Sequence, residues 1–208
     1  MILNGMVLDL ERLFPMTIEH SETPLIIFAL EQESQGLFTD YQCLFTGVGK
    51  VNASYELLKY LATKPHPSII ANLGTAGSAT VNAGEVVQCM KFIQRDMDVT
   101  PLGFEKYQTP FSEVPPILEV EAPKTSLPQA ICGSGDHFDT SHKGDDYDVV
   151  DMEAYALAYI CKREQIPFLS LKYISDGADG AAHQDWEQAL EAGAKALKSA
   201  LEAHMHLL

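Results

Sequence analysis

Three pairs of carboxylates interrupt or end apolar runs in this chain. They are Glu31 and Glu33 in IIFALEQES (26–34), Asp151 and Glu153 in VVDMEAYALAYI (149–160), and Asp176 and Asp179 in YISDGAD (173–179). A charge in apolar surroundings is costly unless it is paired or hydrogen-bonded, so each pair needs a reason. Carboxylates accept hydrogen bonds from hydroxyl and amino groups and can serve as general acid or general base. Such a set suits a neutral, hydroxyl-rich or amine-bearing ligand. Two turns of small residues, NLGTAGSA (72–79) and GSGDHFD (133–139), also follow apolar runs. The first has no GxxxxGK[ST] or GxGxxG pattern and no Arg beside it, so it is a poor phosphate cradle. Taken singly, each feature has a plainer account. Glu153 could be a first-turn acid favoured by a helix dipole, Asp176 and Asp179 an Asx-turn, Glu31 and Glu33 the start of a solvated helix, and Trp186 a core residue.

Positioning these groups falls to short apolar runs of strand type at 24–30, 42–49, 68–74, 84–93, 130–135, 149–152 and 168–175. Helical periodicity covers 50–63, 153–165 and 183–205, the last with Trp186, Leu190, Ala194, Leu197 and Leu201 on one face. Near-continuous apolar strands alternating with helices predict an α/β sheet covered on both faces, with ligands beyond the carboxyl ends of its strands. The five prolines of 109–129 predict an extended connection within one domain, and DTSHKGDDYD (139–148) a polar surface loop.

With 208 residues, 46% of them apolar, the chain suits one soluble domain, and a net charge of −15 argues against nucleic acid or an anionic membrane as partner. No apolar run is long enough to span a bilayer, and the N-terminal stretch has acids where a secretory signal has basic residues, which points to a cytoplasmic protein. Cys43, Cys89, Cys132 and Cys161 are scattered without CxxC spacing and are expected to be reduced core residues, with no metal site.

In this order, IIFALEQES (26–34), TGVGKVNAS (46–54), NLGTAGSA (72–79), DMDVTPLGF (96–104), SGDHF (134–138), VVDMEAYALAYIC (149–161) and PFLSLKYISDGAD (167–179) resemble the nucleoside phosphorylase/nucleosidase superfamily. The branch they are most similar to is that of the 5′-methylthioadenosine/S-adenosylhomocysteine nucleosidases. The resemblance runs from about residue 24 to the C-terminus and leaves residues 1–22 as an extension of unknown role before a domain at 23–208. It implies a single-domain, three-layer fold with a mixed, twisted central sheet flanked by helices, usually a homodimer, with no cofactor. It implies cleavage of a purine–ribose bond through an oxocarbenium-like transition state, in purine nucleoside catabolism and methionine salvage.

The family's roles carry over residue by residue. Asp176 would protonate the departing base, which requires a carboxyl kept protonated by burial, with Ser175 orienting it. Glu153 would accept from the two ribose hydroxyls with Met152 packed beneath the sugar, and Glu33 would activate water. Phe138 would stack on the purine, with Asp139, Thr75, Ala76 and Gly77 around it, while Leu30, Val48, Met152 and Trp186 would meet an apolar 5′ substituent. Val99, Leu102 and Phe104 could reach across from a partner subunit.

Where the superfamily's phosphorylases hold phosphate with arginines, this chain has FALEQES and IIANLGTAG, so water is the expected nucleophile. It departs from the nucleosidases at Asp139, usually apolar, at His137, at Lys172, usually Arg, and in shorter connections at 105–129 and 139–148. The expected activity is therefore hydrolysis of a 5′-thio-substituted adenosine to adenine and the thioribose. Hydrolysis or phosphorolysis of another purine nucleoside (futalosine, inosine) and non-catalytic nucleoside binding remain open.

Overall fold

A computed structural model describes residues 19–141, 144, 146–178 and 182–205, with no side-chain description for 182–185. Most of the N-terminal extension, and Asp179, lie outside the described residues. The end of the extension is described: His20 forms a bridge with His66, and the Ser21 N–H donates to the His66 carbonyl at 2.7 Å.

All seven expected strands form: β1 (Leu25–Phe28), β2 (Gln42–Phe45), β3 (Ile70–Gly77), β4 (Val86–Gln94), β6 (Gln129–Ser134), β7 (Val149–Asp151) and β8 (Phe168–Asp176). An eighth, β5 (Ile117–Glu119), lies inside the proline-bearing segment that the sequence marks as an extended connection. It follows Pro115 and Pro116 directly and pairs antiparallel with β4 at the sheet edge, where the prolines' missing N–H groups cost no ladder bond. The helices are α1 (Glu31–Ser34), α2 (Lys50–Leu61), α3 (Ala154–Glu164) and α4 (Ala182–His204).

The sheet is mixed, in the order β2-β1-β3-β7-β6-β4-β5, and β8 pairs with both β3 and β4. The path β3–β7–β6–β4–β8–β3 therefore closes on itself, so the centre of the sheet is a ring and not an open fan. Two buried clusters cover its faces. One joins Leu57 and Leu61 of α2 and Leu157 and Cys161 of α3 to Ile27, Phe92 and Phe168. The other joins Leu197 and Leu201 of α4 to Ile26, Ala71, Leu73 and Leu169. Alternate residues of one strand serve opposite clusters, as Ile70 and Ala71 do, because successive side chains of a strand point to opposite faces. Cys89, Cys132 and Cys161 are buried and Cys43 half-buried, all as free thiols.

Two irregularities set up the site. β3 and β8 run parallel in register from Ile70↔Phe168 to Ala76↔Ile174, then shift so that Gly77 faces Asp176. Ser175 is the extra residue, and the bulge lets neighbours that would normally face opposite sides share one cavity. At the same place β7 meets β3 through the single antiparallel pair Gly77↔Val150, which brings the ends of β7 and β8 together.

Candidate active site

Strand ends and helix starts converge on a cavity of about 220 Å³. Its walls include Leu30, Glu33, Val48, Thr75, Ala76, Gly77, Phe138, Met152, Glu153, Ser175, Asp176 and Trp186, together with Asp151, Ala29 and Val150. Every residue expected in the chain's own site therefore lines one cavity except Asp139, which lines a smaller adjoining recess, while Val99, Leu102 and Phe104, expected to serve a partner's site, do not line it. Among the described residues the lining holds four carboxyl groups and no Lys or Arg.

Glu33 is fixed by the start of α1 and by β3. One oxygen accepts from the Leu30 N–H at 3.1 Å, a bond from the third helical residue back to the cap. The other accepts from the Thr75 N–H at 3.0 Å and the Thr75 hydroxyl at 2.9 Å. The Trp186 indole N–H donates to that same hydroxyl at 2.8 Å, which ties α4 to the acid through β3. Trp186 is thus a wall of the cavity with its polar edge satisfied.

Asp176, at the end of β8, accepts from the Ser175 hydroxyl at 2.7 Å on one oxygen and from the Ala178 N–H at 2.8 Å on the other. A Cβ at Gly77 would lie 2.6 Å from that second oxygen, so this close approach of strand to carboxyl requires glycine.

Glu153 precedes α3 and reaches across to α2, where the Gly49 N–H donates to it at 2.7 Å. Gly49 caps α2 at φ +94°, a conformation that favours glycine. Burial pushes the Glu153 carboxyl up, the neighbouring Asp151 adds to this, and Lys172 and the Gly49 N–H oppose it, leaving it at about 8. Near neutral pH this burial keeps the group protonated.

Asp151 has a different environment. It accepts from the Ala154 N–H at 2.9 Å at the start of α3, from the Ser134 hydroxyl, and from the Lys172 ammonium at 2.9 Å. Burial alone would raise the Asp151 carboxyl, but Lys172, Ser134 and Ala154 together hold it below its ordinary range. Burial works against the charge on Lys172, which is only 2% exposed, yet Asp151 with Cys132 and Glu153 holds its ammonium above the ordinary value.

Phe138 is half-exposed at the cavity rim, as is Val48 on the α2 side. Behind Phe138, Asp139 pairs with Arg95 at 3.5 Å. Sequence reasoning did not single out Arg95. The signal was available, since it directly follows β4 and strand ends are where α/β sheets place function. Lys172 carried a signal too, a lone cation in the middle of FLSLKYIS, which in a buried strand must find an acid.

This arrangement can grip hydroxyls with Glu153, place a carboxyl against a flat base stacked on Phe138, and hold a polar nucleophile near Glu33. Residues 131–205 match the model of the phosphorylase superfamily, the class that fold and cavity define. The chain is 30% identical to the 5′-methylthioadenosine/S-adenosylhomocysteine nucleosidase of Staphylococcus aureus (strain MRSA252), over 81% of this chain and 83% of that protein. It is equally similar to the nucleosidase of the same name from Exiguobacterium sp., over 71% of this chain and 72% of that one. The chain belongs to the 5′-methylthioadenosine/S-adenosylhomocysteine nucleosidase family and is an N-glycosyl hydrolase. Its fold matches the Neisseria meningitidis nucleosidase in complex with methylthio-immucillin-A (TM-score 0.78, 22% identity, 90% of this chain and 100% of that one). It also matches a futalosine hydrolase of Helicobacter pylori (TM-score 0.77, 19% identity, 90% and 98%).

Proposed function

We propose that this protein hydrolyses the N-glycosidic bond of a 5′-thio-substituted adenosine, methylthioadenosine or S-adenosylhomocysteine, to free adenine and the thioribose. The observation that carries this reading is the convergence of Glu33, Glu153 and Asp176 on one cavity whose other walls are largely apolar. Asp176 donates a proton to the purine as the bond breaks, with Ser175 and the Ala178 N–H fixing its orientation. Glu153 accepts from the ribose hydroxyls and so draws electron density toward the sugar as positive charge grows on it. Glu33, its carboxylate oriented by the Thr75–Trp186 relay, takes the proton of the attacking water. Leu30, Val48, Met152 and Trp186 form an apolar wall that suits a thioether better than a phosphate.

Water is the nucleophile in this scheme. No Lys or Arg of the described residues lines the cavity to hold a phosphate, and the buried cations Lys172 and Arg95 are already engaged with Asp151 and Asp139. The same reading includes a cytoplasmic homodimer. No helix of the described residues is long and apolar enough to cross a membrane. Val51, Tyr55 and Leu58 form an exposed apolar face on α2 beside Val48, and a second copy would cover it.

Incubation with methylthioadenosine, with products separated chromatographically, tests the reading. Adenine and free methylthioribose are expected, at a rate that added phosphate does not raise. No adenine at high enzyme concentration, or a sugar phosphate as product, refutes it.

A further inference from the structure

A recess of about 40 Å³ adjoins the main cavity and shares Gly77, Phe138, Val150, Met152 and Asp176 with its wall. Arg95, His137 and Asp139 complete it. Arg95 is a built-in feature, because its side chain lies close against Gly135, where a Cβ would approach within 2.9 Å of Cζ. Its Nη2 donates to the His137 carbonyl and, at 3.4 Å, to the Gly135 carbonyl. Its Nη1 lies 2.6 Å from His137 Nε2 and 3.5 Å from an Asp139 oxygen. Its Nε is buried without a hydrogen-bond partner. Arg95 therefore holds the 135–139 segment by its carbonyls and sets the Asp139 carboxylate at the far side of the recess. The other Asp139 oxygen is occupied by the Ser141 N–H at 2.9 Å and the Ser141 hydroxyl.

With Asp176 against N7 of a purine, the C6 substituent projects from the same edge of the ring, along the wall that leads from Asp176 to Asp139. Two carboxyl groups then flank that substituent. A 6-amino group offers two N–H donors to them, whereas a 6-oxo group brings only lone pairs and leaves a buried acceptor facing acceptors. We propose that Asp139, positioned by Arg95, is the specificity-determining residue for the C6 substituent, and that it selects 6-amino over 6-oxo purines. This rests on the proposed nucleosidase site and assigns the base preference to a side chain.

Two readouts test it, and each ratio is taken on one preparation so that partial misfolding affects both ligands alike. The first is kcat/KM for methylthioadenosine against its 6-oxo counterpart, methylthioinosine. Wild type is expected to favour the 6-amino substrate by at least about tenfold, the size of one charge-assisted hydrogen bond gained or lost. Asp139→Asn, whose amide can donate, is expected to narrow or invert the ratio by a gain on methylthioinosine. Arg95→Met is expected to narrow it by a loss on methylthioadenosine. The second readout is calorimetric binding of free adenine and hypoxanthine, which does not depend on turnover. If neither nucleoside is cleaved, the nucleosidase reading fails, while adenine bound more tightly than hypoxanthine in wild type but not in Asp139→Asn still upholds the recess. A preference unchanged in Asp139→Asn, equal affinity for the two bases in wild type, or no binding of either base overturns the proposal.

Discussion

At the scale of single residues, Asp151 and Glu153 show how two acids one residue apart acquire opposite properties. Asp151 has a full-charge partner in Lys172 and two further donors, so it is ionised and structural. Glu153 has one main-chain N–H and a neighbouring negative charge, so it keeps its proton up to about 8. Ribose hydroxyls donate to a carboxylate, so binding a nucleoside favours the ionised form. Below that pH, binding should then release a proton, and affinity should rise with pH until it levels off near 8. Calorimetry in two buffers of different ionisation enthalpy checks this, and no buffer dependence counts against the role of Glu153. For folding the sign is the opposite. An unfolded chain loses this proton in the ordinary carboxyl range and the folded one near 8, so stability falls as pH rises between those limits. Glu153→Gln should flatten that fall. The sequence made Glu153 legible because it is a charge in an apolar run, but not its raised proton affinity. That comes from burial beneath segments far away in the chain and from the charge on Asp151, against the opposing pull of Lys172 and the Gly49 N–H.

At the scale of elements, the site depends on where strands end and how closely they approach. Lys172 of β8 and Asp151 of β7 tie together two strands that do not pair with each other, although both pair with β3. Lys172→Met should therefore leave a buried, unpaired carboxylate and cost about 3–5 kcal/mol, read as a lower urea midpoint. The double variant with Asp151→Asn should recover part of that loss, and an additive pair would show that the bridge is not what joins these ends. Gly77→Ala would place a methyl 2.6 Å from the Asp176 oxygen, and it should lower kcat by more than about tenfold while costing about 1–3 kcal/mol in stability. A variant with wild-type kcat would dissociate the placement of Asp176 from this approach. Strand and helix positions were legible because apolar runs and helical periods are local. The Ser175 bulge, the closure of the sheet through β8 and the short β5 were not, because each is decided by pairing between distant segments.

At the scale of the whole molecule, α2 has two roles: its N-terminus meets Glu153, and its outer face carries Val51, 77% exposed, with Tyr55 and Leu58. Leu102, 73% exposed, is a further apolar residue without cover. Burial of this face by a second copy predicts a dimer by light scattering, converted toward monomer by Val51→Glu; a wild-type monomer at all concentrations would refute the homodimer. The general acid is the point on which the whole account turns. The most direct measurement is the turnover of methylthioadenosine by Asp176→Asn beside wild type, with adenine binding followed in both. Turnover is expected to fall by about 100-fold or more, the contribution of a general acid, while the variant stays folded and still binds adenine. Turnover within a few-fold of wild type would contradict that role for Asp176.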